Sequence, residues 1–190
     1  MKIIKRHPLP SEELEWIGIN EDYFKCYQSY INREAPGYCG SYSAAALTHY
    51  ILKNIEHLEE VSMEKLLQTY RLMMEDVLLY PGTYLWDIAR GLKEVLVKGF
   101  GYQIKSHIFC EKVVVEQLSK KDPLPVIVGT VAVLGSPYQN HWVVAYAYAK
   151  DSSGKLWFKI YDNHGHYKAI IPAIQTLRCC YVEKSSMDKG

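Results

Sequence analysis

An α+β domain, with a helical first half packed on an antiparallel sheet built by the second half, is the fold class that this 190-residue sequence predicts. Three observations lead there. In the first half the apolar residues recur at three- and four-residue steps, the period of helices with one buried face. From Gly99 onward the period changes, and short runs rich in Val, Ile, Tyr and Trp follow one another between Gly, Pro, Asp and Ser. Helices first and strands after, with short turns between strands, is the α+β arrangement. The length suits one well-buried core, and no internal repeat or low-complexity segment suggests another, so residues 1–190 read as a single domain.

Residues 1–22 read as an extended lead-in, with Pro8 and Pro10 and then mixed charge, and with room for one helical turn over Glu12 to Ile17. Tyr23 to Ala35 leads into the stretch around which the chain is organised, Pro36 to Leu52. Pro36-Gly37 breaks regular structure, after which Ala44, Leu47, Thr48, Ile51, Ile55 and Leu58 share a helical face. Three successive alanines favour the helix and allow close packing. Ser62 caps a second helix whose apolar face runs from Met63 through Leu66, Leu67, Tyr70, Met73 and Met74 to Val77. Pro81-Gly82 is a break, and Thr83 caps a third helix carrying Leu85, Ile88, Ala89, Leu92, Val95 and Leu96 inward.

A strand near Tyr102 to Phe109 and a short helix over Glu111 to Lys120 follow. Next comes the apolar strand Val126 to Val133, then a loop at Gly135 to Pro137. Four more strands are expected at His141 to Ala149, Leu156 to Asp162, His166 to Ile171 and Arg178 to Val182. The turn Asp151-Ser152-Ser153-Gly154 joins the first two as a hairpin. Residues 184–190 read as a frayed tail.

Composition narrows the function. A net charge of +1 with scattered Lys and Arg argues against a nucleic-acid binder. The five cysteines, Cys26, Cys39, Cys110, Cys179 and Cys180, are odd in number and include an adjacent pair, a poor disulfide framework. No CxxC pair suggests a structural zinc, and no phosphate-cradling glycine motif is present. His164-Gly165-His166 resembles half a metal site, but without further ligands a solvated loop is the better reading. The basic start Met1 to Pro8 has no apolar core after it, and no stretch approaches membrane-span length. These features lead to the expectation of a reduced, cytoplasmic protein needing no cofactor and no metal, its oligomeric state open.

Cys39 sits where a loop meets the first turn of the organising helix. There, free backbone N–H groups and the helix dipole favour a thiolate, and Gly40 leaves the sulfur approachable. Cysteine is also an ordinary core residue, and this stretch alone does not decide between the two roles. A nucleophile needs a base. His49 lies farther along the same rigid helix and cannot fold back onto the sulfur. His141 starts a strand, from which it can reach a site outside the sheet. If the Asp151 to Gly154 hairpin has an even loop, Lys150 pairs with Lys155 and His141 lies opposite His164. Asp162 then shares a face with His141 on its diagonal, about 7–8 Å away, while Asn163 points to the other face. An odd loop or a bulge reverses that choice.

An upstream Gln, Cys-Gly opening an alanine-rich helix, Pro-Val-Ile-Val in a strand, His-Trp-Val-Val, and an Asp closing the next strand occur here in order, over residues 25–182. This ordered set resembles the papain-like cysteine peptidases, and among them the bacterial branch typified by the double-glycine leader peptidases of bacteriocin exporters. The resemblance implies a papain-like fold with a cleft between helical and sheet halves, and a peptide or protein substrate. It makes Cys39 the nucleophile, His141 the base, Asp162 the orienting residue and Gln28 the oxyanion-hole amide, with hydrolysis through a thioester acyl-enzyme. Gln28 stands eleven residues before Cys39, farther than in those families, which an insertion at Ile31 to Ala35 would explain. Gln139, beside His141, is the alternative amide. An acyltransferase on the same machinery, or a catalytically silent peptide-binding domain, are the other classes that fit.

Overall fold

The computed structural model describes residues 9–32, 37–76 and 82–184. The start of the expected lead-in, the tail from 185, and Pro36, Val77 and Pro81 lie outside the described residues.

The lead-in holds no helical turn at Glu12 to Ile17; it makes a two-residue strand, β1 (Ile17–Gly18), on the later strand β4 (His141–Lys150). Gly18 has φ 131°, and a Cβ there would stand 2.5 Å from the Tyr146 carbonyl oxygen, so only glycine permits this approach. A 3₁₀ helix over Glu21–Ser29, capped by the Asn20 side chain accepting from the Asp22 N–H, buries Phe24 and Tyr27. Phe24 stacks on Tyr146 with ring centroids 4.1 Å apart, which fastens the lead-in to the sheet.

Helix α1 (Cys39–Tyr50) is buried along all its residues rather than on one face. Its small side chains allow that: a Cβ on Gly40 would sit 2.5 Å from the Thr83 methyl group. A π turn (Ile51–Ile55) extends it. Helix α2 (Met63–Met74) starts as expected, with the Ser62 Oγ accepting from the Lys65 N–H at 3.2 Å. Helix α3 (Leu85–Leu92) is capped one residue later than expected. Asp87 Oδ2 accepts from the Tyr84 N–H at 3.0 Å, which leaves the Thr83 hydroxyl free for the Gly37 carbonyl and the Glu75 carboxylate. A π turn (Lys93–Val97) and a last turn, α4 (Lys98–Phe100), end at Gly101 with φ 69°.

The remaining elements are β2 (Tyr102–His107), α5 (Cys110–Leu118), β3 (Val126–Thr130), β4 (His141–Lys150), β5 (Leu156–Tyr161), β6 (Ala169–Pro172) and β7 (Thr176–Lys184). They pair antiparallel in the order β2-β7-β3-β4-β5-β6. Strand β3 stops at Thr130, short of the expected Val133, because the Val131 N–H turns away to the Gln175 carbonyl and a 3₁₀ turn (Ala132–Leu134) follows. Helix α1 lies against β4, joined by Ser43 Oγ donating to the Trp142 carbonyl at 3.1 Å.

The β4–β5 hairpin departs from the expected register and then returns to it. Lys150 pairs with Leu156, so the loop is odd. A bulge between Ala145 and Ala147 takes up one residue, and Val144 faces Tyr161, the pairing that an even loop predicts. The end of the hairpin that carries the candidate site therefore has the expected register.

Candidate active site

Cys39 is the first residue of α1 and His141 the first of β4; both are almost fully buried, 7% and 8% exposed. They line one cavity of about 820 Å³, together with Trp142, Thr83, Tyr84 and Arg178 among others. The backbone N–H of Trp142, next to His141, faces the Cys39 sulfur, which puts the thiol against the mouth of β4. Trp142 also anchors the two halves. Its carbonyl accepts from Ser43 of α1, and its indole N–H donates to the Thr83 carbonyl at 2.7 Å.

The His141 Nε2 lies 2.8 Å from the backbone carbonyl oxygen of Asp162. A carbonyl only accepts, so Nε2 carries the proton and Nδ1 keeps a lone pair. Nδ1 is therefore the ring nitrogen able to accept a proton.

The Asp162 carboxylate does not touch the imidazole. Oδ1 accepts from the N–H groups of His164 (2.8 Å) and His166 (3.0 Å); Oδ2 accepts from the Tyr138 hydroxyl (2.8 Å) and pairs with His166 Nδ1 (2.8 Å). Strand β5 ends at Tyr161, and Asn163 takes φ 46°, so the chain turns before the Asp162 side chain can run along the sheet toward His141. The side chain holds the turn, and the turn's carbonyl holds the histidine. Asn163, buried, donates from Nδ2 to the Trp142 carbonyl at 2.9 Å, and its Oδ1 has no hydrogen-bond partner.

Gln28 is exposed at the end of the 3₁₀ helix and does not line the cavity; Gln139 is exposed as well, with φ 60°. Asn32 does line it, seven residues before Cys39, and its N–H donates to the Asn163 carbonyl at 2.8 Å. Its closer spacing to Cys39 is the signal that could have drawn attention to it. Glu75 has no sequence signature at all. Its carboxylate accepts from the Ser41 N–H (3.1 Å), the Ser41 hydroxyl and the Thr83 hydroxyl (2.6 Å), bracing the start of α1.

Burial dominates the acid–base character. It pushes the Cys39 thiol up to about 11; N–H groups from Trp142, Gly40 and Cys39 itself pull it back, and the Glu75 charge adds to the rise. Burial likewise brings His141 down to about 4, aided by His164, whose ring centroid is 4.3 Å away, against an upward pull from the Asp162 carbonyl. At neutral pH the resting pair is thiol and neutral imidazole. The thiolate expected from the helix N-terminus loses to desolvation.

His164 shares the cavity with His141, while two other histidines are engaged elsewhere. His49 Nδ1 meets the Tyr27 hydroxyl at 2.8 Å, and His166 pairs with Asp162. Cys26 is exposed; Cys110, Cys179 and Cys180 are buried, and burial pushes Cys180 up to about 12. Among the described residues, no cluster of His, Cys, Asp or Glu could hold a metal ion, and no helix is long and apolar enough to cross a membrane.

No family model and no curated protein matches the sequence. Solved structures do match the fold. A bromelain protease from Ananas comosus in complex with the E64 inhibitor superposes with a TM-score of 0.54 at 15% identity, over 93% of this chain and all of that one. A recombinant stem bromelain precursor gives 0.53 at 12% identity, over 97% of this chain and 76% of that one. The proform of the ragweed pollen allergen Amb a 11, a cysteine protease, gives 0.54 at 11%, over 93% and 67%. The helices before, the antiparallel sheet after and the cleft between them are those of the papain-like α+β fold.

Proposed function

We propose that this chain is a cysteine peptidase or amidase that works through a thioester acyl-enzyme, with Cys39 as nucleophile and His141 as base, in one domain spanning residues 1–190. The observation that carries the reading is the Nε2–H tautomer of His141 beside Cys39 in one cavity, on a papain-like scaffold. As the Cys39 sulfur attacks a carbonyl carbon, its proton passes to His141 Nδ1. The carbonyl π electrons move to oxygen. Collapse of this tetrahedral species breaks the C–N bond, and Nδ1–H protonates the departing amine. Water then attacks the thioester, giving its proton to Nδ1, and the acid leaves as the proton returns to sulfur.

Asp162 orients the imidazole through its main-chain carbonyl, and its carboxylate acts by holding that carbonyl in place. For the oxyanion, the Cys39 N–H and a side-chain amide are the donors. Asn32 takes the amide role in this reading, because Asn32 lines the cleft and Gln28 lies outside it. A bacterial, cytoplasmic enzyme of the double-glycine leader peptidase type is the finer reading; it rests on the ordered sequence motifs. An acyltransferase would use the same first half-reaction.

Incubation with a model peptide thioester, followed by intact-protein mass spectrometry, tests the reading. An acyl adduct on Cys39, absent from Cys39→Ala and His141→Gln, is expected. Free acid as the product marks a hydrolase and an amine-linked product a transferase. An unacylated wild-type chain overturns the catalytic reading in favour of a silent binding domain.

A further inference from the structure

Strand β7 carries an arginine in an unusual position. Arg178 has φ 67°, a left-handed conformation, at the point where the pairing of β7 with β3 slips between Val128 and Thr130. Its N–H is held by the Ile108 carbonyl at 2.6 Å. Cys179 and Cys180 beyond it are fully buried, so the slip turns one side chain out of the strand while its neighbours stay in the core. Arg178 is exposed and is one of the residues lining the cavity shared by Cys39 and His141.

The charge it carries there is unanswered. Among the described residues no carboxylate pairs with Arg178, and no residue lining the cavity is an Asp or a Glu. Two carboxylates that bond to cavity-lining or site residues are committed: Asp162 to Tyr138, His166 and the His164 N–H, Glu75 to Ser41 and Thr83. The cavity's two histidines, His141 and His164, are both held toward the neutral form by burial. A guanidinium stays protonated at any ordinary pH and presents a fork matched to a carboxylate. Among the described residues that line it, the cleft thus has one fixed positive charge and none of opposite sign.

We propose that Arg178 selects the substrate by binding a peptide carboxylate, from an Asp or Glu side chain or from a free C-terminus; this rests on the cysteine peptidase reading above. Reach limits where that carboxylate lies. In the order β7-β3-β4, Arg178 is two strand spacings from the strand of His141, about 10 Å between backbones. An extended peptide advances about 3.3 Å per residue, so the recognised carboxylate falls within about three residues of the scissile bond.

The test uses the full chain carrying Cys39→Ala, which separates binding from turnover. Mixed hexapeptide libraries, each with one fixed residue and with free or amidated C-termini, are incubated with it, and retained peptides are read by mass spectrometry. Asp and Glu enriched about tenfold or more over Asn and Gln at one or two adjacent positions is the expected result for side-chain recognition. Enrichment of free over amidated termini is the expected result for terminal recognition. In either case the preference should vanish in Arg178→Gln and turn toward Lys and Arg in Arg178→Glu. Equal retention of acid and amide forms at every position, a preference that survives Arg178→Gln, or no retention at all overturns the proposal. The wild-type acylation assay reports separately on the peptidase reading: neutral thioesters acylating Cys39 without acidic preference sink Arg178 alone. Acid-selective retention without any acyl-enzyme leaves Arg178 standing and sinks the enzyme.

Discussion

Replacing His141 by Gln tests the acid–base state of the site without requiring a substrate. Gln keeps an N–H donor for the Asp162 carbonyl and does not titrate. In the folded chain His141 is brought from 6.5 down to about 4, chiefly by burial. A depressed histidine favours the neutral form on folding, so its contribution to stability is complete above the unfolded value of 6.5 and is lost as pH falls toward 4. The full difference is about 2.5 units at 1.36 kcal/mol each, or about 3 kcal/mol, of which about 2 is already lost near pH 5. Urea unfolding of wild type and His141→Gln at about pH 7.5 and about pH 5 reads this directly. The wild type should lose about 2 kcal/mol more than the variant between the two conditions, with His164→Gln carried in both proteins so that its contact with position 141 does not enter the difference. Equal losses in the two proteins would mean that His141 is solvated or already protonated at rest. The neutral thiol–imidazole pair would then be wrong.

Two further outcomes are expected. Asn32→Ala should slow acylation of Cys39 by about 10²–10³ if its amide serves the oxyanion, while Gln28→Ala should leave the rate within about twofold; stopped-flow acylation distinguishes them, and the reverse order restores Gln28 to the role. Asp162→Asn should lower stability by about 1–3 kcal/mol, because the amide cannot accept from both Tyr138 and His166, and should slow acylation through the displaced carbonyl; slowing with no change in the urea midpoint would point to direct contact between carboxylate and imidazole.

The α+β class and the main helices and strands were legible in the sequence, as were the places of Cys39 at a helix start and His141 at a strand start, because each rests on local chemistry. Helical and strand periods are set by side-chain direction, which the order of apolar and polar residues records. Ser62 at its cap and Cys39 at the start of an alanine-rich helix are local signals of the same kind. The residues that complete the site were decided by tertiary structure. The hairpin loop proved odd and a bulge near Tyr146 compensated for it, two errors in register that cancel and that no local pattern reports. The turn at Asn163 carries the Asp162 carboxylate away from His141 and brings its carbonyl there instead, a choice between side chain and backbone of the same residue. Helix α1, read as one-sided, is enclosed because β4, α2 and the Thr83 segment all close on it. That enclosure decides the protonation of the pair: a helix N-terminus argues for a thiolate from sequence, but desolvation is a property of everything packed around the sulfur, and only the folded chain sets it.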